Sequence, residues 1–339
     1  METKRGSAFM LFLLLFYLGF LLLMWGIVIP ALGDDARQII SSPWFLIFQQ
    51  LAVLVLPLLI WTIIRKEKLK FQSQPLGKTN LIMIIFLSFF FQPLMMFISG
   101  LSSFIMPNPV ANMLDTMVVH PLWLLILAIA VTPAICEELV FRGYIQDSHK
   151  HLTVKKSALI NGLFFAIIHL NLHQFFYAFA MGIVFFIMVY YTRSILAGII
   201  SHFIINASQV SLGNAASRMI DSFADYTAVE AVYDIEISES LELLMAIGVL
   251  GFIALIATPC ALVVLKSFIK HNKNRNAEID GLNDEILTLA QNETEIEYTV
   301  VENEIEVKTN ETENKGFRKR VDPYFIAVIA LFLLIIFLL

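Results

Sequence analysis

The chain has 339 residues, of which 58% are hydrophobic and only 15% charged; soluble domains carry about a quarter charged residues. This balance excludes an ordinary soluble globular protein and predicts a membrane protein with no nucleic-acid partner. The net charge of -5 says little about partners, because the charges lie in short stretches between apolar runs.

Each of those runs is long enough, at ~1.5 Å rise per residue, to be read as a helix crossing a ~30 Å hydrocarbon core. In chain order they cover about 8–30, 44–64, 80–105, 118–146, 157–171, 174–191, 194–211, 243–268 and 323–339. The expected fold is therefore all-α, a polytopic membrane helical bundle of about nine spans, the fifth of them short, around a four-helix core. The first run follows Lys4 and Arg5 and outlasts a signal-peptide core of about 7–15 residues, so it reads as a retained anchor. Basic clusters at Lys4-Arg5, Arg65-Lys66-Lys68-Lys70, Lys150-Lys155-Lys156, Arg193 and Lys266-Lys270-Lys273-Arg275 fall at alternate loops. The positive-inside rule then places the N-terminus in the cytoplasm, with a bacterial plasma membrane as the expected location. The expected divisions are N-terminal helices at 1–117, a catalytic membrane core at 118–211, an external loop and eighth span at 212–268, an acidic cytoplasmic insert at 269–322 and a terminal span at 323–339. The insert alternates apolar residues with glutamates at Glu295-Ile296-Glu297-Tyr298 and Glu304-Ile305-Glu306-Val307, which suggests disorder or a small hairpin.

Ionisable residues inside spans are costly, at least ~2.5–3.5 kcal/mol near the centre, and so invite a functional reading. Here Glu137, Glu138 and Arg142 lie on the fourth run, Phe165 and His169 on the fifth, and His202 and Asn206 on the seventh. Counted from the basic end of each run, Glu137, His169 and His202 lie at a common depth of roughly 14–20 Å. The adjacent glutamates point about 100° apart. Glu138 and Arg142, at i,i+4 spacing, are expected to form a structural ion pair, which leaves Glu137 for chemistry. Pro133 is expected to kink the helix just before it. His202 and Asn206 share one face, with Gly198 and Ser201 beside them for close packing. A His169–His173 metal pair would need a continuous helix, and Asn171 between them argues for a turn. His173 then reads as interfacial, and His149 and His151 as solvated loop residues.

Glu137-Glu138-Leu-Val-Phe-Arg142, Phe165-Ala-Ile-Ile-His169 and His202-Phe-Ile-Ile-Asn206 resemble, in order, the three motifs of the CPBP family of CAAX proteases and bacteriocin-processing enzymes. The resemblance covers about 118–211. It implies a membrane-embedded endopeptidase acting on a membrane-associated protein or peptide, and carries catalytic roles onto Glu137, His169, His202 and Asn206, with Glu138, Arg142 and Phe165 as structural support. Glu137 and His169 would activate water, while His202 and Asn206 would donate to the oxyanion. That reading needs no cofactor. A zinc peptidase using Glu137, His169 and His202 as ligands is the alternative, and a non-catalytic immunity or scaffold protein is a third. Neither the natural substrate nor the oligomeric state follows from these residues.

Overall fold

The computed structural model describes residues 3–69, 71–227, 239–298 and 322–338. Described elements are helical, apart from an isolated bridge between Ser73 and Ser194. Among the described residues, seven helices are long and apolar enough to cross a membrane, so the chain is a multi-pass membrane protein. They are α1 (Lys4–Asp35), α2 (Pro43–Arg65), α3 (Gly77–Ser103), α5 (Leu122–Ser148), α7 (Leu172–Thr192), α8 (Ile195–Thr227) and α9 (Glu239–Tyr298). Three shorter helices complete the order: α4 (Pro109–Met117), α6 (Val154–Ile167) and α10 (Pro323–Leu338).

The expected count of nine spans is not confirmed: among the described residues the nine apolar runs form these seven long helices and the shorter α6 and α10. Helix α6 has 14 residues, about 21 Å at helical rise, and cannot cross a full hydrocarbon core by itself. It stops where Leu170 adopts a left-handed φ of 48° and Asn171 caps α7, its side chain accepting from the His173 and Gln174 amides. His169 and His173 thus sit on different elements. His173 is buried against protein near the start of α7, with Nε2 3.1 Å from the Ser103 hydroxyl. His149 is also buried, its Nδ1–H donating to the Ile145 carbonyl at 2.9 Å, and is not a solvated loop residue. The Gly6 backbone packs directly against its ring, where a Cβ would collide.

Helix α9 runs unbroken from the eighth apolar run into the acidic segment. Glu295 to Tyr298 are thus helical and not part of a hairpin, while the second alternating stretch lies outside the described residues. Its continuation follows from a sequence that places no breaker between Phe268 and Asn276 and anchors that stretch twice: Asn272 exchanges amide hydrogen bonds with Asn80 of α3, and Asn276 donates to the Tyr191 carbonyl.

Three α-helices widen into π turns, Met24–Val28, Leu51–Val55 and Leu127–Val131. Each precedes a proline by two residues, at Pro30, Pro57 and Pro133. Proline lacks an N–H and its ring crowds the carbonyl four residues back, so widening the preceding turn relieves the clash. The kink expected at Pro133 takes this form. A further π turn, Leu139–Ile145, begins directly after Glu138.

The described residues of the five basic clusters gather at one end of the bundle. Arg5 of α1 donates to Glu67, which also accepts from the Tyr144 hydroxyl of α5. The segment after α2 crosses to the α7–α8 turn, with Gln74 N–H bonding the Arg193 carbonyl and Ile195 N–H bonding the Gln72 carbonyl. Arg193 forms a bidentate pair with Asp280 of α9. Helix α10 packs on this assembly through Phe325 against Phe164 and Phe332 against Phe175.

Candidate active site

The polar residues singled out above meet in the middle of the bundle because four helices each turn one polar face inward. Helix α5 enters through the π turn before Pro133 and places both glutamates out of solvent, Glu138 completely. The Arg142 guanidinium donates to Glu138 Oε1 at 2.8 Å and to the Gly182 carbonyl of α7 at 3.0 Å, and both members of the ion pair have fully buried side chains. A charge pair this deep needs its remaining groups matched, and here the match is partial, since Glu138 Oε2 and Arg142 Nε are also buried without a hydrogen-bond partner. Part of the matching comes from aromatic faces: the guanidinium lies 4.6 Å from the Phe165 ring centroid and 5.2 Å from that of Phe185, a favourable placement for a cation.

Glu138 does more than brace its own helix. Its Oε1 also lies 3.1 Å from Nδ1 of His202. Since a carboxylate can only accept, Nδ1 carries the hydrogen, and this contact fixes the ring so that Nε2 points toward Glu137, whose Oε2 is 4.0 Å away. Phe185 stacks on the His202 ring at 5.0 Å, and Phe165 meets both His202 and His169 edge-on. Phe165 therefore touches Arg142 and both imidazoles at once.

His169, just beyond the end of α6, is oriented by its own backbone. Nδ1 lies 2.7 Å from the Phe165 carbonyl, an acceptor, so Nδ1 carries the hydrogen and Nε2 presents a lone pair. Asn206 donates one amide hydrogen to the Ile129 carbonyl at 3.0 Å. That carbonyl lies in the π turn, where the widened register gives α8 an acceptor to bind. One N–H of the Asn206 amide remains. Glu137, His169, His202 and Asn206 all line one cavity of about 360 Å³. Glu137 Oε2 is buried there without a hydrogen-bond partner, a costly condition unless a bound molecule supplies a donor.

The cavity wall also contains residues that sequence reasoning missed: Tyr17, Gln49, Gln50, Gln174, Tyr177 and Gln209. Gln50 Nε2 reaches toward Glu137 Oε1 at 3.5 Å, and Gln49 donates to the Tyr17 hydroxyl at 3.2 Å. A signal existed, since two consecutive amides interrupt the apolar run 44–64, although a single amide in a span is commonly interhelical glue. Among the described residues, no three His, Cys, Asp or Glu side chains are grouped closely enough to hold a metal ion.

Residues 119–208, the segment that holds these motifs, match the family described as Type II CAAX prenyl endopeptidase Rce1-like. This segment is Rce1-like. The match agrees with the CPBP resemblance and covers α5 to the middle of α8. No curated protein and no solved structure matches the chain.

Within the Rce1-like segment Gly198 has a specific steric role. A Cβ there would fall on the Glu138 carboxylate and also press on Val189. Gly198→Ala is expected to displace Glu138 from Arg142 and His202 at a cost of about 1–3 kcal/mol, read as a lower unfolding temperature in detergent. An unchanged melting profile would mean that Glu138 has room to move.

Proposed function

We propose that this protein is an intramembrane endopeptidase that hydrolyses a peptide bond of a membrane-associated protein or peptide with a water molecule activated by Glu137 and His169. The observation that carries the reading is the buried, unpartnered Glu137 carboxylate oxygen in a cavity shared with His169, His202 and Asn206, within a segment that is Rce1-like. A water seated between Glu137 and the free Nε2 of His169 would be oriented by both. Glu137 takes the proton as the oxygen attacks the carbonyl, then returns it to the leaving amine.

The oxyanion needs donors, and the spare N–H of Asn206 is one. His202 Nε2 is the second only when the ring is doubly protonated, because Nδ1–H is committed to Glu138. Glu138 is then a positioning residue for His202 as well as the partner of Arg142.

The test is to compare newly formed protein N-termini in membranes containing the wild type or Glu137→Gln, followed by assay of the purified protein on the peptides so identified. N-termini that depend on Glu137 support the reading, and identical sets reject it. On these peptides, activity is expected to survive thorough zinc removal by a chelator. Loss of activity with recovery at about one zinc per chain would replace direct water activation by the zinc reading at the same residues.

A further inference from the structure

We propose that the substrate segment enters this cavity from the non-cytoplasmic face, so that the peptidase acts on polypeptide exposed outside the cytoplasm. This deepens the peptidase reading and rests on it for the word substrate. The geometric part concerns only which end of the bundle the cavity faces.

Two independent observations point the same way. First, the wall extends from Glu137 only toward the end of the bundle remote from the basic clusters. On α5 it includes Ala128, Ile129 and Pro133 but nothing after Glu137, on α2 it stops at Leu54, and on α7 it stops at Met181. Its outermost part is Pro109, Val110, Met113 and Leu114 of the short α4, which lies in the α3–α5 connection at that remote end. Second, the route to the basic end is blocked. Directly behind Glu137 and His202 stand the Glu138–Arg142 pair and Phe141, Phe165 and Phe185, each no more than 2% exposed. Opening that route would require separating a buried ion pair from its aromatic cradle.

The basic clusters mark the cytoplasmic side by the positive-inside rule, so the open end faces outward. The character of the wall suits a polypeptide. Beyond the four site residues its polar groups are amides and phenols, which can pair with peptide N–H and C=O groups, and it holds no Lys or Arg that would receive an anionic headgroup or a free terminal carboxylate.

The experiment uses the full chain with Cys260→Ser, carrying Ala178→Cys inside the cavity, Met113→Cys at its rim, or Asn274→Cys on α9 at the basic end. A membrane-impermeant maleimide is applied to intact cells and, separately, to sealed inverted vesicles. Ala178→Cys and Met113→Cys are expected to react from outside the cell and Asn274→Cys only in inverted vesicles. Labelling of the cavity cysteines from the same side as Asn274→Cys, or of Ala178→Cys from neither side while Met113→Cys reacts, overturns the proposal. Reaction of Asn274→Cys from outside overturns the orientation. None of these outcomes depends on turnover, so failure of the entry route and failure of the peptidase reading are read separately.

Discussion

Glu137→Ala and His169→Ala are each expected to lower peptide cleavage by about 10²–10⁴-fold, the usual worth of a positioned general base, with membrane insertion and fold retained. Both side chains face the cavity and neither holds the bundle together: Glu137 makes one long contact with Gln50, and His169 bonds only to the backbone carbonyl of Phe165. Removing them should therefore spare stability. The check is turnover of an identified substrate peptide alongside thermal unfolding in detergent. Full activity in either variant rejects water activation by this pair. Glu137→Gln sharpens the test, because it keeps the shape and the hydrogen bonding while removing the base.

Arg142→Ala is expected to cost about 3–5 kcal/mol of stability, the penalty for leaving a buried charge without its partner. The change strands Glu138, removes the donor of the Gly182 carbonyl and empties the space between Phe165 and Phe185. Arg142→Lys should recover only part of the loss, since a single ammonium cannot bond the carboxylate and the carbonyl at once while lying flat between two rings. The measurements are expression level and unfolding temperature. Normal stability with turnover selectively lost would exchange the roles of the two glutamates. Glu138→Gln is expected to do both kinds of damage, because Glu138 holds Arg142 and His202 through one oxygen atom.

These two predictions differ because helical phase separates neighbouring residues. Glu137 and Glu138 are adjacent in the chain, yet one faces an open cavity and the other a closed aromatic pocket. The i,i+4 spacing of Glu138 and Arg142 was legible in the sequence, and so was the common depth of Glu137, His169 and His202, since helical rise converts residue counts into distance along the membrane normal. The missed Gln49 and Gln50 were legible in principle. Their anomaly was passed over because an amide in a span, unlike a charge, is common as interhelical glue.

What the amino-acid sequence determined by itself is local and periodic. Apolar runs specify helices because lipid offers the backbone no partner outside its own segment, and Asn171 specifies where α7 begins; Pro30, Pro57 and Pro133 follow widened turns, whereas Pro93 and Pro259 sit in unbroken α-helix. Tertiary structure alone decided the rest. That α9 continues through the change to acidic composition, and that His149 and His173 are buried, depend on which neighbours pack against them. The contact of Glu138 with His202, 64 positions apart, is likewise invisible to any local pattern. Periodicity sets which face of a helix is polar, but the atom that polar face meets is set by the crossing of helices, and only the packed bundle contains that information.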